Sequence, residues 1–246
     1  MAVAGKLHIG TSGWSYKHWR NIFYPSGLPV SKQLGFYSSQ FDTTEINSSF
    51  YRLPSATAVS HWQESVKSTF RFCPKISRWV THAKKLNDPA SSLPRFFEVF
   101  DPFRKSCGPV LIQLPANLAF HSEKATLFFS YLHQNYKGWL FSLEARHISW
   151  ISQDAQALLK KYKTGWVIAD SGGRWPSSEI ITAKHIYLRF HGPDGSYATS
   201  YSDDLLNSYA RKCSAWLKGG HELWVFFNND IYGYAIQNAM RLRELI

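Results

Sequence analysis

A short apolar run that ends in polar or charged groups and then breaks recurs about eight times along this chain. The clearest instance is Ile186 to His191, where Tyr187-Leu188-Arg189-Phe190-His191 stops at Gly192. The others are Leu7 to Gly10, Thr43 to Asn47, Phe70 to Lys75, Val110 to Leu114, Leu140 to Glu144, Trp166 to Asp170 and Leu223 to Asn228. Segments with helical spacing lie between them: Ser31 to Phe41, Ser55 to Lys67, Asp88 to Lys105, Ser122 to Asn135, Ser152 to Tyr162, Asp203 to Leu217 and Tyr234 to Leu245. Pro94 predicts a bend or a late start in the third of these. Ser31, Ser55 and Ser122 are the expected N-caps. After Asp170, Ser171 to Pro176 reads as a loop, with room for a short helix over Ser177 to Ala183.

Strands that alternate with helices pair in parallel through crossovers. Eight repeats with no linker-like stretch predict an α/β fold in which residues 1–246 form one eight-stranded parallel (β/α)8 barrel of the TIM type. A doubly wound sheet with a dinucleotide site is the alternative. Gly10-Thr11-Ser12-Gly13 lacks the glycine spacing and the acidic partner that such a site needs, and it is set aside.

In a parallel barrel, chemistry sits at the C-terminal ends of the strands. Residues two apart on a strand share a face, so Glu45 joins Asn47, Glu144 joins Arg146, and Arg189 joins His191. Lys75 and Asp170 end their strands, and Asn228, Asn229 and Asp230 follow the last one. Glu45 and Glu144 are candidates for an acid/base pair, with Lys75 and Asp170 beside them as catalytic candidates. The structural alternative is that Glu144 neutralises Arg146 or Arg189 and that Lys75 pairs with Glu45. Lys75 is expected to bind an anion rather than react, because no apolar cage for a low-pKa lysine is visible. Arg146, Arg189, His191, Asn47, Asn228, Asn229 and Asp230 are expected to hold the ligand. Trp14, Tyr16, Trp19, Tyr51 and Arg52 are candidates for a stacking wall around the mouth, the alternative being that Trp19, Phe23 and Tyr24 only pack a long loop. A divalent metal on Asp170, His191 and Glu144 is a minor option; no tight metal motif is present and no cofactor is predicted.

The net charge of +11 favours an anionic partner or weak attraction to nucleic acid, but the basic residues are spread along the chain. No apolar stretch reaches membrane-spanning length. Met1 to Gly5 lacks the pattern of a secretion signal. Cys73, Cys107 and Cys213 form no zinc or disulfide pattern, which points to reduced thiols in a cytoplasmic protein.

Taken in order, several of these stretches resemble the YecE-like family, the domain of unknown function seventy-two. They are Ile9-Gly10-Thr11-Ser12-Gly13-Trp14, Phe41-Asp42-Thr43-Thr44-Glu45-Ile46-Asn47 and Phe72-Cys73-Pro74-Lys75. Leu111-Ile112-Gln113-Leu114-Pro115, Glu144-Ala145-Arg146-His147 and Ala169-Asp170-Ser171 continue the match. Tyr187 through Gly192 and Phe227-Asn228-Asn229-Asp230 complete it. The resemblance spans nearly the whole chain. It implies a TIM-type barrel and carries over positions rather than a reaction. The expected function is an enzyme for a small polar or anionic substrate (a sugar, sugar phosphate or nucleotide-like molecule). The alternatives are a protein that binds or processes single-stranded nucleic acid, and a non-catalytic metabolite-binding or scaffold barrel.

Overall fold

The computed structural model describes residues 4–246, so residues 1–3 of the Met1 to Gly5 stretch read for a secretion signal lie outside the described residues. Eight strands are present among the described residues, one in each predicted segment. They are β1 (Leu7–Thr11), β2 (Thr43–Ile46), β3 (Arg71–Pro74), β4 (Val110–Gln113), β5 (Phe141–Glu144), β6 (Gly165–Asp170), β7 (His185–Phe190) and β8 (Glu222–Phe227). All of their ladders are parallel. The helices are α1 (Val30–Gln40), α2 (Ser48–Tyr51), α3 (Ala56–Glu64), α4 (Pro89–Ser92), α5 (Pro94–Phe100), α6 (Ser122–Asn135), α7 (Gln153–Lys161), α8 (Asp203–Lys218) and α9 (Tyr234–Leu245).

The closed eight-stranded barrel expected from the repeat is not formed. The strands make a six-stranded sheet in the order β1-β8-β7-β6-β5-β4 and a separate two-stranded sheet, β2-β3. Only isolated bridges join the two, at Ser12–Glu45, Phe72–Cys107 and Lys75–Leu111. Each interruption has a local cause.

Between β1 and β2, side chains take the bonds that a ladder would make. The Tyr37 hydroxyl accepts from Thr11 N at 2.8 Å and donates to Thr43 O at 3.1 Å. The Asp42 carboxylate accepts from Ile9 N at 3.2 Å, and Thr44 Oγ1 donates to Thr11 O at 3.1 Å. Gly10 keeps the strands close, since a Cβ there would stand 2.1 Å from Thr43 O.

Between β3 and β4 the cause is proline. Arg71 N donates to Asp42 O at 2.9 Å and Lys75 N to Ile46 O at 3.3 Å, so the odd amides of β3 face β2. Alternation then turns position 74 toward β4, where Pro74 has no N–H to offer. Val110 N donates to Leu140 O at 2.8 Å, so position 109 faces β3, and that residue is also proline. Each side of this seam thus lacks a donor at one position. Among the described residues only two backbone bonds cross it, Gly108 N to Phe72 O at 2.8 Å and Ile76 N to Leu111 O at 2.9 Å, flanking the prolines.

The main core lies between strands and helices, with Phe96, Phe100, Phe128, Phe129 and Trp150 fully buried. A second apolar cluster of Cys73, Leu111, Val167, Ala169, Tyr187, Trp224 and Phe226 fills the opposite face of the strands. Ser55 caps as expected, accepting from Ala58 N at 3.1 Å, and Ser152 caps α7 in the same way, accepting from Ala155 N at 3.3 Å. Ser31 and Ser122 lie inside their helices, which are preceded by Pro29 and His121. The Asp88 to Lys105 segment splits into α4, α5 and a 3-10 turn over Asp101–Ser106, with a proline starting each helix. Ser177 to Ala183 is not helical: Thr182 Oγ1 accepts from Trp166 N at 2.7 Å and donates to Thr164 O at 2.6 Å, pinning that stretch to the start of β6.

Candidate functional site

The inward face of the strands becomes polar one step above the second apolar cluster, and the strand period decides which side chains arrive there. Tyr187 and Arg189 project inward from β7, and Glu45 from β2. Glu144 comes from β5, and Gln113 from β4. Lys75 follows the end of β3.

Arg189, 1% exposed, is the hub. Its Nε donates to Glu45 Oε2 at 2.9 Å, its Nη2 to Glu45 Oε1 at 2.7 Å, and its Nη1 to Glu144. Ser12 Oγ adds a bond to Glu45 Oε1 at 3.0 Å, and the Tyr187 hydroxyl adds one to Oε2 at 2.8 Å. Each Glu45 oxygen therefore accepts two bonds, and the carboxylate is fully occupied. Arg146 Nε donates to the other oxygen of Glu144 at 3.1 Å. Burial works against ionisation of Glu144, but Arg189 and Arg146 overcome it and hold the carboxyl well below the usual range. Two carboxylates and two guanidiniums thus balance in charge. A buried network of this kind persists only when its members satisfy one another.

Lys75 stands outside that balance. It is 6% exposed and does not pair with Glu45; its Nζ donates to Gln113 Oε1 at 2.8 Å and lies 4.3 Å from the centre of the Phe50 ring. Burial, aided by the charge of Arg189, pulls it down to about 7. The apolar support that the sequence did not display comes from Phe50 of α2. His82 presses edge-on against the same ring at 5.0 Å. Burial, followed by the charge of Lys75, lowers His82 as well.

These groups line a cleft of about 510 Å³ with Tyr16, Asn47, Tyr51, Arg146, Arg189, Tyr197, Asn228 and Asp230. Tyr51, 73% exposed, stands at its edge. Asp230 is the only carboxylate in the lining, and burial raises it. Arg146 is steadied by Trp175, its guanidinium 4.7 Å from the ring centre. His191 lies beneath, with Nδ1 3.1 Å from Asn228 Nδ2 and Nε2 buried without a partner, 3.8 Å from Glu144. Burial lowers it.

Several of the expected residues are placed elsewhere. Asp170 has the outward register on β6; its Oδ2 accepts from the Tyr209 hydroxyl of α8 at 2.9 Å. Asn229 Nδ2 donates to Thr199 O at 2.8 Å and Asn238 Oδ1 at 2.9 Å. Trp14 packs on Trp62 and Phe72, Trp19 is fully buried against Tyr16, Phe23 and Tyr24, and Arg52 is not among the lining residues. Asp170 does not join Glu144 and His191, and no group of three or more His, Cys, Asp or Glu residues able to hold a metal occurs among the described residues. Gln113, Phe50, His82 and Tyr197 are lining residues that sequence reasoning missed. Gln113 had a usable signal, as the one polar side chain in the apolar run Val110 to Leu114.

A second cleft, of about 370 Å³, opens at the opposite ends of β1 and β2. Its charged groups, Asp42, Lys67 and Arg243, are not buried. No helix among the described residues is long and apolar enough to cross a membrane.

A parallel α/β protein with a buried ion network under a cationic cleft is the class that fold and site define. Residues 8–246 match the family described as "Protein of unknown function DUF72", and the chain belongs to that family. It is 26% identical over 274 residues to the UPF0759 protein YunF of Bacillus subtilis (strain 168), covering 98% of this chain and 94% of YunF. With the UPF0759 protein YecE of Escherichia coli (strain K12) it shares 24% identity over 234 residues, 85% of this chain and 82% of YecE. A crystal structure of a DUF72 family protein from Thermotoga maritima MSB8 superposes with a TM-score of 0.87 at 26% identity, covering 98% of each chain. One from Enterococcus faecalis V583 superposes with a TM-score of 0.83 at 18% identity, over 97% of this chain and 94% of the other.

Proposed function

We propose that this protein is a cytoplasmic enzyme acting on a small anionic substrate, of the sugar phosphate or nucleotide-like class, in the cleft at the C-terminal ends of the strands. The observation that carries the reading is the surplus cation. Glu45 and Glu144 are matched by Arg189 and Arg146, so Lys75 faces the cleft with no carboxylate partner. An anion in the cleft would supply the missing charge, where low polarity strengthens the attraction. Arg146 and Lys75 would clamp the anion, with Arg189 fixed behind them by the two glutamates. Asn47 and Asn228 would bond hydroxyl or carbonyl groups, and Tyr51 would cover an apolar face. In this reading Glu45 and Glu144 set the electrostatics rather than shuttle protons, since Glu45 has no free acceptor position and Glu144 is held ionised. Proton transfer would fall to Lys75, which burial holds at about 7, and to the His82 imidazole on the same Phe50 ring.

The test is a thermal-shift series with inorganic phosphate, glucose 6-phosphate and AMP on wild type and Arg146→Ala, followed by turnover assays on whichever compound binds. A ligand at ~100 times its dissociation constant stabilises a fold by roughly 2.7 kcal/mol, which such a melt resolves. The expected result is a shift from at least one anion that shrinks in the variant. No shift from any of them, or equal shifts in both proteins, overturns the reading. Binding without turnover would favour a non-catalytic metabolite-binding protein.

One observation favours a nucleic-acid reading as second choice: Tyr51 and Trp79 are 73% and 56% exposed, as stacking rings would be, on a chain of net charge +11. It predicts binding of a mixed single-stranded oligonucleotide that weakens steeply with salt.

A further inference from the structure

Lys75 is the only buried lysine among the described residues. A buried lysine ordinarily carries its proton to a carboxylate, and both nearby carboxylates are already taken by guanidiniums. Its nitrogen instead has one polar contact, Gln113 Oε1 at 2.8 Å, and one apolar one, the face of Phe50. Lys75 is one of the residues that line the cleft. His82 reaches the same Phe50 ring from the turn Trp79–Ala83, whose hydrogen bonding is of the wide π type, a geometry frequent at functional sites. Its Nδ1 is engaged by Thr81 Oγ1 at 2.9 Å, which leaves Nε2 free to exchange protons in the cleft.

We infer that Lys75 forms an imine with its substrate, and that the substrate is a small aldehyde or ketone bearing a carboxylate or phosphate. The inference rests on the anion-binding reading for the acidic group and goes beyond it for the carbonyl. With the anion on Arg146, the carbonyl carbon comes to Nζ. The neutral amine's lone pair forms the C–N bond while the carbonyl π pair moves to oxygen. His82 takes a proton from nitrogen and returns it to that oxygen, giving a carbinolamine. A second proton, drawn from solvent through the same ring, lets the hydroxyl leave as water and the nitrogen lone pair form C=N. The product is an iminium whose positive charge replaces that of the protonated lysine, so the site needs no new counter-charge. The amine is poised for the first step because burial holds it near neutrality. An ordinary lysine at pH 7 is neutral in only roughly one molecule in 2,500.

The experiment is reductive trapping of the full chain at pH 7 with sodium cyanoborohydride and one of three probes: glyoxylate, glycolaldehyde phosphate or neutral glycolaldehyde. Hydride delivered to the imine carbon leaves a stable secondary amine, which peptide mapping by mass spectrometry assigns. The expected result is that Lys75 is modified roughly tenfold or more faster than any exposed lysine, and faster by the anionic probes than by the neutral one. Lys75→Arg, which keeps the charge but forms no imine, should lose that adduct while still melting cooperatively. Equal modification of Lys75 and exposed lysines overturns the inference, and if phosphate still shifts the melt, the anion site survives without it. Fast modification of Lys75 by all three probes alike leaves the nucleophile in place and removes the anionic substrate. The relative rates of glyoxylate and glycolaldehyde phosphate tell a carboxylate from a phosphate substrate.

Discussion

Arg189→Met is the substitution that the buried network makes most informative. Methionine fills much of the arginine's volume and removes its charge. Glu45 then keeps only the Ser12 and Tyr187 hydroxyls, and Glu144 keeps only Arg146. Removing one partner of a buried ion pair costs about 3–5 kcal/mol, because the other charge is left uncompensated. That is a large share of a domain's ~5–15 kcal/mol. For a chain of this length each kcal/mol moves the melting temperature by about 2–4 °C, which predicts a drop of roughly 6–20 °C at pH 7. The pH dependence separates a charge effect from a packing effect. In the wild type Glu144 is held below its usual value, so its contribution is complete at neutral pH and is lost as pH falls through the ordinary carboxylate range. In the variant the stronger of its two cationic neighbours is gone, burial raises the carboxyl, and acidification favours the folded state. The gap between the two proteins should therefore narrow from pH 7 to pH 4. Calorimetric melts at both pH values check this. An unchanged melting temperature at pH 7, or a gap that does not narrow, would refute the reasoning.

Lys75→Met should raise stability at pH 7. The wild-type amine is depressed to about 7 by burial, so its cost is full below that pH and fades as pH rises toward its usual 10.5; the gain is on the order of 2–4 kcal/mol at pH 7, near zero by pH 10.5, and read by denaturant titration. Sulfate, whose own charge is constant over this range, should bind roughly tenfold tighter per pH unit on going from pH 9 toward 7 and level off below it, because a bound anion holds the proton on Lys75; pH-independent calorimetric affinity would count against the clamp. Asp170→Ala should leave sulfate affinity unchanged and cost about 1–2 kcal/mol through the orphaned Tyr209 hydroxyl, seen as a lower melting temperature.

Much of the architecture was legible because apolar runs and helical spacing alternate with such regularity. All eight strand segments and their parallel sense could be read in this way. Barrel closure could not, because closure depends on which hydrogen bonds cross two seams. The β3/β4 seam left a trace, Pro74 and Pro109, that a rule confining proline to strand edges would have caught. The β1/β2 seam left none, since nothing local says that Tyr37 and Asp42 will bond to β1. Within the site, inward register was readable where a charge interrupts an apolar run, as at Glu45, Glu144 and Arg189. At Asp170 it was not. Ile168 and Ala169 are both apolar, the strand is buried on both faces, and period two leaves no mark in such a run. The low value of Lys75 was invisible for a related reason: Phe50 lies twenty-five positions earlier and meets Lys75 only through the fold.

The interrupted sheet and the ion network explain each other. β2 and β3 carry Glu45 and supply Lys75, while the six-stranded sheet carries Arg189, Glu144 and Gln113. The bidentate contact of Arg189 with Glu45 therefore runs between the two sheets, across the space where backbone ladders are missing. Tyr187 to Glu45 and Lys75 to Gln113 make the same crossing. Charge-assisted bonds are stronger than the backbone bonds they stand in for, but they act at points rather than along a line. The joint is firm under the cleft, where the side chains converge, and depends at β1/β2 on Tyr37, Asp42 and Thr44. A ligand that bridges Arg146 on the larger sheet and Lys75 at the end of β3 would add one more such tie. On this geometry, occupancy of the cleft and the docking of β2-β3 are thermodynamically linked, and the site lies on the seam because charged side chains from both sheets face one another there.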